Sequence, residues 1–283
     1  MKIAFVGKGG SGKSTISWLM VKTLADLEHQ VLAIDADHNM DLTSNLGLDP
    51  EKTPLMHQTD KTFMEAVGLS EDRAWSRILT ENTQNLPTFS LSPLDPYTTS
   101  ISKKVSGNIS LINLGLGSPD VLFNDKCAHG LSGPLKYYLG LLEEKDNWVV
   151  IDSVAGTDMI NFGLYSGIDA VIGVVEPHRN SVKVFEQIQD ICRKTMIPCY
   201  AIINKPTDNE FYNVMLQKYP EKILGEIPLD TSIMSYEFDS LADTTVKAAK
   251  NIITKLKTFT KRGGLHGMQT FHHIKKSEKP TAK

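Results

Sequence analysis

The chain has 283 residues, 41% of them hydrophobic, which is enough to bury a sizeable core. Its formal net charge of −3 argues against a general nucleic-acid-binding protein, and its three cysteines argue against a secreted disulfide scaffold. No signal peptide precedes the first motif, and no apolar run is long enough to cross a bilayer. We therefore expect a cytoplasmic protein without stable membrane insertion.

Short apolar runs alternate with helical patterns along the chain. The runs predict strands at Lys2–Val6, Gln30–Ala36, Ile109–Leu114, Trp148–Asp152, Ala170–Val175, Pro198–Ile203 and Ile223–Ile227. The helical patterns lie at Lys13–Leu27, Ser132–Glu144, Val182–Lys194, Glu210–Lys218 and Ser240–Phe259. Continuous apolar runs are typical of parallel strands that are covered on both faces. The pattern thus predicts an α/β fold with a doubly wound, mostly parallel sheet and helices on both faces.

The chain divides into one long domain and a short tail. We interpret residues 1–262 as a single domain, in which residues 48–108 contain no strong strand and form a helical insertion. Helical patterns within this insertion lie at Lys61–Val67 and Ser70–Thr83. Residues 263–283 are polar and basic, and we expect them to form a flexible tail.

A phosphate-loop pattern, G-x-x-x-x-G-K-[ST], follows the first predicted strand and opens the first predicted helix, as GKGGSGKS at residues 7–14. Glycines let backbone N–H groups close around a polyphosphate, and the helix N-terminus adds partial positive charge. We predict that Lys13 reaches the β- and γ-phosphates of ATP, that Ser14 binds Mg²⁺ and that Thr15 bonds to the α-phosphate. The remaining residues expected to cradle the nucleotide are Gly9, Gly10, Ser11 and Gly12.

A second lysine, Lys8, stands before the glycines. The order K-G-G-x-G-K-[ST] resembles the deviant Walker A motif of the P-loop ATPase class that includes the nitrogenase iron protein, MinD and ParA, the SIMIBI-type NTPases. The resemblance implies that Lys8 crosses a homodimer and acts on the nucleotide of the partner, as an arginine finger does. The alternative is a solvated loop lysine.

Acidic residues follow two predicted strands. By the same resemblance, the stretch from Asp35 to Asn39 is the first switch, with Asp37 orienting the attacking water and Asp35 supporting it. Asp152 ends a hydrophobic run, as in a Walker B strand, and is expected to hold Mg²⁺ through water. Ala155 and Gly156 then correspond to the second switch, and Gly156 permits a change of backbone conformation.

The predicted base site lies at Asn204 and Lys205, which close another predicted strand. Amide groups of asparagine can bond to adenine edges. GTPases have N-K-x-D at this place, whereas Thr207 occupies the fourth position here and Asp208 comes one residue late. The pattern therefore favours ATP, and Pro228 is expected to pack near the base.

Within the class, the chain resembles most the CooC family, carbon monoxide dehydrogenase accessory ATPases that assist nickel insertion. The similarity rests on the early lysine loop, on DSVAGT at residues 152–157 and on VVEPHRNS at residues 174–181. It implies a metalloenzyme client, carbon monoxide dehydrogenase being one candidate. Where that family has C-x-C, this chain has Cys127 and His129, a pair that would bind Ni²⁺ or Zn²⁺ at a dimer interface, or else a structural cysteine beside a turn histidine.

Two other functions stay open at this stage. A positioning or partitioning ATPase of the MinD/ParA type would act on a membrane or on DNA, and the basic segment from residue 243 onwards suits an anionic surface. An iron–sulfur reductase would need a second cysteine near Cys127, which the sequence lacks. A histidine tract at His266, His272 and His273 is a further candidate metal ligand set, or simply part of a polar tail.

Overall fold

The computed structural model describes residues 1–68, 87–115, 133–143, 147–157 and 167–261. An eight-stranded sheet runs through these residues. Its strands are β1 Lys2–Val6, β2 Val31–Ala36, β3 Ser102–Ser106, β4 Ile109–Asn113, β5 Trp148–Ser153, β6 Ala170–Val175, β7 Cys199–Asn204 and β8 Ile223–Ile227. The strand order is β3-β4-β2-β5-β1-β6-β7-β8, and every neighbouring pair is parallel except β3 and β4.

Helices cover both faces of this sheet. They are α1 Lys13–Asp26, α2 Asp41–Asn45, α3 Asp60–Ala66, α4 Pro96–Ile101, α5 Gly133–Leu141, α6 Arg179–Lys194, α7 Glu210–Lys218 and α8 Asp243–Lys257. Short 3₁₀ helices lie at Pro50–Lys52, Met56–Gln58, Pro220–Lys222, Thr231–Ser235 and Phe238–Ser240. In the described part of the chain, no helix combines the length and the apolar character that crossing a membrane requires.

The central strands are buried on both faces. In β1, Ile3 and Phe5 pack against Trp18 of α1 in one hydrophobic cluster, whereas Ala4 and Val6 belong to a second cluster on the other face. Successive side chains of a strand point to opposite faces, so both faces need apolar residues when helices cover both. This explains the uninterrupted apolar runs, and the predicted doubly wound sheet is confirmed.

Helix α8 packs its apolar side onto the same face as α1. Ala249, Ile252, Ile253 and Leu256 are buried, at the spacing of one helical face. The contact with the sheet is close, since a Cβ added at Gly225 of β8 would lie 2.8 Å from Ile252 Cγ1. The apolar face of α8 is therefore part of the core.

One strand was missed by the sequence patterns. β3 lies within the range 48–108, for which the sequence indicated no strong strand, and it pairs antiparallel with β4 at the edge of the sheet. Lys103 and Lys104 are exposed there, as is common on edge strands, so the segment carries no apolar run. The helix predicted at Lys61–Val67 is confirmed by α3, whereas the one predicted at Ser70–Thr83 lies outside the described residues.

Candidate functional site

The loop between β1 and α1 lies at the carboxyl ends of the parallel strands, where β5 and β6 flank β1. Two of its glycines are required by close contacts. A Cβ at Gly7 would lie 2.6 Å from the Val174 carbonyl oxygen, and one at Gly12 would lie 2.5 Å from Asn204 Nδ2. Gly12 also has φ +87, a left-handed conformation that glycine adopts readily, and it starts α1. The loop is thus packed against two strands and leads directly into a helix N-terminus.

A polar cleft of about 430 Å³ opens above this helix N-terminus. It brings together most of the residues that the sequence assigned to a nucleotide. The predicted residues that line it are Gly9, Gly10, Gly12, Lys13, Ser14, Thr15, Asp37, Ala155 and Lys205. Three lining residues were not predicted, namely Asp41, Asn45 and Tyr236, and a fourth, Asn39, was predicted only as the end of the first switch. Glycine N–H groups, a lysine and the positive end of α1 in one cleft suit a polyphosphate.

Five of the predicted nucleotide and magnesium residues do not line the cleft, namely Lys8, Ser11, Asp152, Asn204 and Pro228. Ser11 is buried, and its Oγ has no hydrogen-bond partner among the described residues. Lys8 is half-buried, and its ammonium donates to the Gly9 carbonyl oxygen at 3.2 Å. Pro228 is half-buried directly after β8. Their roles toward a nucleotide stay predictions.

Asp35 and Asp152 are neighbours across the sheet, in register between β2 and β5. Both carboxyl groups are buried, and burial raises the pKa of Asp35 to about 6 and that of Asp152 to about 8. Asp35 is fully engaged by α2, because its Oδ2 accepts from Thr43 N at 2.8 Å and from Thr43 Oγ1 at 2.7 Å. These bonds fix Asp35 against α2, and its supporting role in the first switch stays a prediction.

Asp152 differs from Asp35 in that one of its carboxylate oxygens accepts no hydrogen bond from the described residues. Its Oδ1 accepts from Ser17 Oγ at 3.1 Å, while Oδ2 is buried without a hydrogen-bond partner among the described residues. The nearby charge of Asp35 also raises its pKa, whereas the Ser14 hydroxyl and the Lys13 ammonium lower it. A buried oxygen of this kind, with a serine hydroxyl close by, is suited to a hard, oxygen-liganded cation such as Mg²⁺.

Asp37 is oriented toward the cleft by a short turn. It is 9% exposed, and its Oδ1 accepts from the backbone N–H of Asn39 at 3.3 Å. This contact explains why Asn39 reaches the cleft, although the sequence gave no separate signal for it beyond its place two residues after Asp37. Asp41 and Asn45 arrive with α2, whose five residues were too few to predict from periodicity.

The predicted base residues lie where β7 ends. Asn204 is buried, and its Nδ2 donates to the Ser11 carbonyl oxygen at 2.9 Å, so it ties β7 to the phosphate loop. Lys205 has φ +51 and pairs with Glu176 of the β6–α6 connection at 2.7 Å. The structure thus gives Asn204 a loop-bracing role, and its contact with adenine stays a prediction.

The candidate transition-metal residues cannot be placed. Cys127 and His129 lie outside the described residues, as do His266, His272 and His273. In the ranges that are described, no group of three or more histidine, cysteine, aspartate or glutamate residues is arranged to hold a metal ion.

Known proteins similar to this chain share the loop and the fold. The family described as CobQ/CobB/MinD/ParA nucleotide binding domain matches residues 3–241. An uncharacterized ATP-binding protein of Methanocaldococcus jannaschii is 30% identical over 240 residues, 83% of this chain and 90% of its own length. Carbon monoxide dehydrogenase accessory protein CooC of Rhodospirillum rubrum is 28% identical over 242 residues, 83% of this chain and 86% of CooC.

Solved structures show the same fold at lower identity. A plasmid partition protein from Borrelia burgdorferi bound to AMPPNP has a TM-score of 0.62 and 23% identity, over 91% of this chain and 98% of that one. The septum site-determining protein MinD from Pyrococcus horikoshii, complexed with Mg-ADP, has a TM-score of 0.60 and 15% identity, over 91% and 96%. The chain belongs to the CobQ/CobB/MinD/ParA nucleotide-binding family and is a P-loop ATPase of the MinD/ParA/CooC type.

Proposed function

We propose that this protein is a cytoplasmic, dimerising ATPase that uses Mg-ATP to drive the maturation of a metalloenzyme. The observation that carries the proposal is the 28% identity to CooC, which extends over 83% of the chain and therefore beyond the phosphate loop. A metalloenzyme client, carbon monoxide dehydrogenase or another nickel enzyme, comes from the name of that relative and is part of the proposal.

The cleft supports a specific arrangement of ATP. The glycines and Lys13 hold the β- and γ-phosphates, and Asn204 and Lys205 face the base side, with Pro228 beside them. Ser14 and Asp152 hold Mg²⁺, which when bound neutralises phosphate charge in the transition state. The Asp152 assignment is supported by its buried Oδ2, which has no hydrogen-bond partner within the described part of the chain.

Asp37 is proposed to place the attacking water. Its carboxylate is buried next to the cleft and has a single described hydrogen bond to its Oδ1, from Asn39 N. A carboxylate so placed can accept a proton from water or orient it toward the γ-phosphate. Asp35 is less suited to this role, because it is fully buried, its Oδ2 accepts two hydrogen bonds from Thr43 and its Oδ1 accepts one from Asp37 N.

Lys8 is proposed to act in trans within an ATP-bound homodimer. Lys8 belongs to the loop but does not line its own cleft, and its ammonium donates to the carbonyl oxygen of the neighbouring Gly9 at 3.2 Å. Exchange of that weak contact for a phosphate of the partner's nucleotide costs little and forms a charge-assisted bond. Dimer closure would then complete each active site.

The second candidate function is positioning or partitioning on a membrane or on DNA. It is favoured by a ParA family protein of Chlamydia pneumoniae, 27% identical over 185 residues, 64% of this chain and 60% of that protein. Helix α8 gives the membrane version no support, because its apolar face is buried in the core and is not available to insert between lipids, whereas residues 263–283 lie outside the described residues.

The experiment compares metal and surface binding in one set of proteins. Wild type, Cys127→Ala, His129→Ala and a chain ending at residue 262 are purified, and their bound nickel and zinc are measured with and without ATP. If the protein takes part in metalloenzyme maturation through Cys127 and His129, we expect about one bound metal ion per dimer. Both point variants should lose this metal ion, and the shortened chain should keep it. Metal lost only with the tail would place the site in the histidine tract.

Sedimentation with anionic vesicles and with duplex DNA, in ATP and in ADP, tests the second candidate. If the protein binds vesicles or DNA only with ATP, and no sample contains a transition metal, positioning or partitioning becomes the proposed function instead of metalloenzyme maturation. Lys13→Ala serves as the control in both assays, because it removes the charge that faces the β- and γ-phosphates and should abolish every ATP-dependent effect.

A further inference from the structure

Tyr236 enters the nucleotide cleft from a distant part of the chain. It lines the cleft together with Gly12 and Thr15, and its hydroxyl oxygen lies 3.5 Å from Thr15 Oγ1, although 221 positions separate the two residues. Its backbone has φ +54, the left-handed conformation that is unfavourable for a bulky side chain. Strained backbone of this kind concentrates at functional sites and calls for an explanation.

The surrounding loop holds this conformation firmly. The 3₁₀ helix Thr231–Ser235 ends at Tyr236, whose N–H donates to the Ile233 carbonyl oxygen at 3.1 Å. Asp230 fixes the start of the same loop, where its Oδ1 accepts from Ser232 N, and its Oδ2 accepts from Ala242 N at 3.0 Å, before α8. The tyrosine backbone is therefore placed by the loop and not by the cleft.

The ring is fixed as well. Tyr236 meets the buried Trp18 of α1 edge to face, with ring centroids 5.3 Å apart and an interplanar angle of 89°. One end of the phenol is thus held against the apolar surface of α1. The other end carries its hydroxyl to the side chain of Thr15, in the first turn of the same helix.

The two hydroxyl groups form a pair of donors with room for one shared acceptor. Since O–H···O bonds are about 2.7–2.8 Å long, an oxygen can lie within bonding distance of both hydroxyls when these are 3.5 Å apart. Their position at the N-terminus of α1 favours an acceptor with negative charge. We propose that Tyr236 is a nucleotide-contacting residue, whose hydroxyl donates with that of Thr15 to an α-phosphate oxygen.

This inference rests on the proposed nucleotide site and adds a residue to it. Tyr236→Phe is the matched variant, because it deletes the hydroxyl and keeps the ring against Trp18. Thr15→Val deletes the other hydroxyl at nearly constant volume. Calorimetry with ATP and with ADP should show a loss of affinity of roughly 10-fold for Tyr236→Phe with either nucleotide, since both carry the α-phosphate.

Three further measurements distinguish a nucleotide contact from a purely structural role of Tyr236. The double variant should lose more affinity than the product of the two single losses, because after either single change the remaining hydroxyl can bond more strongly to the shared oxygen. In Tyr236→Phe, KM for ATP should rise by a larger factor than turnover at saturating ATP falls, as expected for a binding contact made in both the ground state and the transition state. Trp18 emission without nucleotide should match that of the wild type, with Trp18→Phe identifying its share of the signal.

Several outcomes would overturn the inference. Wild-type affinity of Tyr236→Phe for both nucleotides means that the hydroxyl makes no contact. A loss seen with ATP but not with ADP assigns the hydroxyl to the γ-phosphate, and a loss that vanishes with 2′-deoxy-ATP assigns it to the ribose. If the wild type itself binds neither nucleotide, the proposed nucleotide site fails, a result that these Tyr236 outcomes cannot mimic.

Discussion

At the scale of single residues, the site depends on what burial does to carboxylates. Asp35 and Asp152 lie side by side in the sheet, and each would be costly to ionise without a counter-charge. Threonine hydrogen bonds stabilise the first, whereas the second has an oxygen left for a ligand. The two aspartates thus differ in their hydrogen-bond environment, which α2 provides for Asp35 and α1 provides for Asp152.

The first prediction concerns stability and pH. Asp152 has an ordinary pKa of 3.8 when unfolded and about 8 when folded, so between these values the folded chain holds a proton that the unfolded chain has released. The free energy of unfolding should therefore fall as pH rises through this window and level off above it. Thermal unfolding of the magnesium-free and nucleotide-free protein, followed from about pH 6.5 to pH 8.5, measures the effect.

Asp152→Asn is the matched variant, because it has no charge to bury. Its unfolding temperature should be nearly flat over that interval, in which the pKa of Asp35, about 6, contributes little. Addition of Mg-ATP to the wild type should reduce the slope, since a cation favours the ionised carboxylate. Equal slopes in wild type and variant would show that Asp152 is not the titrating group.

The second prediction separates binding from hydrolysis. Asp37→Ala should bind ATP nearly as well as the wild type and should hydrolyse it at least about 100-fold more slowly, because the water loses its orienting group. Single-turnover hydrolysis beside equilibrium binding gives both values. Asp190→Ala, which removes an exposed carboxylate of α6 paired with Arg193, is the control and should hydrolyse normally. Normal turnover in Asp37→Ala would remove this residue from the mechanism.

At the scale of elements, strand ends hold the phosphate loop in place. β7 contributes Asn204, which bonds to the Ser11 carbonyl oxygen at 2.9 Å, and β6 approaches Gly7 through the Val174 carbonyl group. Gly156, after β5, donates its N–H to the Gly7 carbonyl oxygen at 2.8 Å. Three neighbouring strands therefore fix the glycine loop before any ligand binds. This lowers the entropic cost of ordering the loop when a nucleotide binds.

The third prediction tests this bracing. Asn204→Ala leaves a buried carbonyl group without its donor, so it should lower the free energy of unfolding by about 1–3 kcal/mol. It should also weaken ATP binding, because the loop loses one of its supports. Chemical denaturation and calorimetry measure the two effects.

Asn108→Ala is a suitable control. Asn108 Nδ2 donates to the carbonyl oxygens of Ala25 and His29 at 2.9 and 2.7 Å, just before β4 and therefore at the opposite end of the sheet. This variant should be destabilised while ATP affinity is kept. If Asn204→Ala lost stability but bound ATP normally, the bracing would be structural only.

At the scale of the whole molecule, the candidate nucleotide cleft opens at one end of a sheet whose two faces are covered by helices. α1 and α8 cover one face of the sheet, and the other face is covered by helices that include α5 and α6. The carboxyl ends of the parallel strands converge on the glycine loop, the usual place for ligands in open α/β sheets. The candidate nucleotide cleft therefore lies at this end of the sheet.

The fourth prediction concerns assembly. If Lys8 acts in trans, Lys8→Ala in an Asp37→Ala background should bind ATP but fail to form the ATP-bound dimer that Asp37→Ala alone accumulates. Light scattering with ATP, with ADP and without nucleotide measures the mass of each sample. Lys103→Ala removes an exposed lysine of the edge strand β3 and should leave dimer formation unaffected. An equal dimer fraction with and without Lys8 would contradict the trans role.

Much of this protein is determined by local sequence. The glycine loop was predictable because tight backbone contacts allow few other residues, as at Gly7 and Gly12. The strand positions were predictable because a parallel sheet covered on both faces requires continuous apolar runs, as in β1 and β6. These signals arise within a few neighbouring residues, and so they are visible in one sequence.

Tertiary structure alone determined the remaining features. The hydrogen bond from Asn204 to Ser11 joins residues 193 positions apart, and Tyr236 and Thr15 are 221 positions apart. Neither contact can therefore be predicted from sequence spacing. β3 has no apolar face, because an edge strand needs none, and it becomes a strand only by pairing with β4. Local patterns thus specified the loop and the sheet, whereas the partners of each polar side chain depended on how distant strand ends meet.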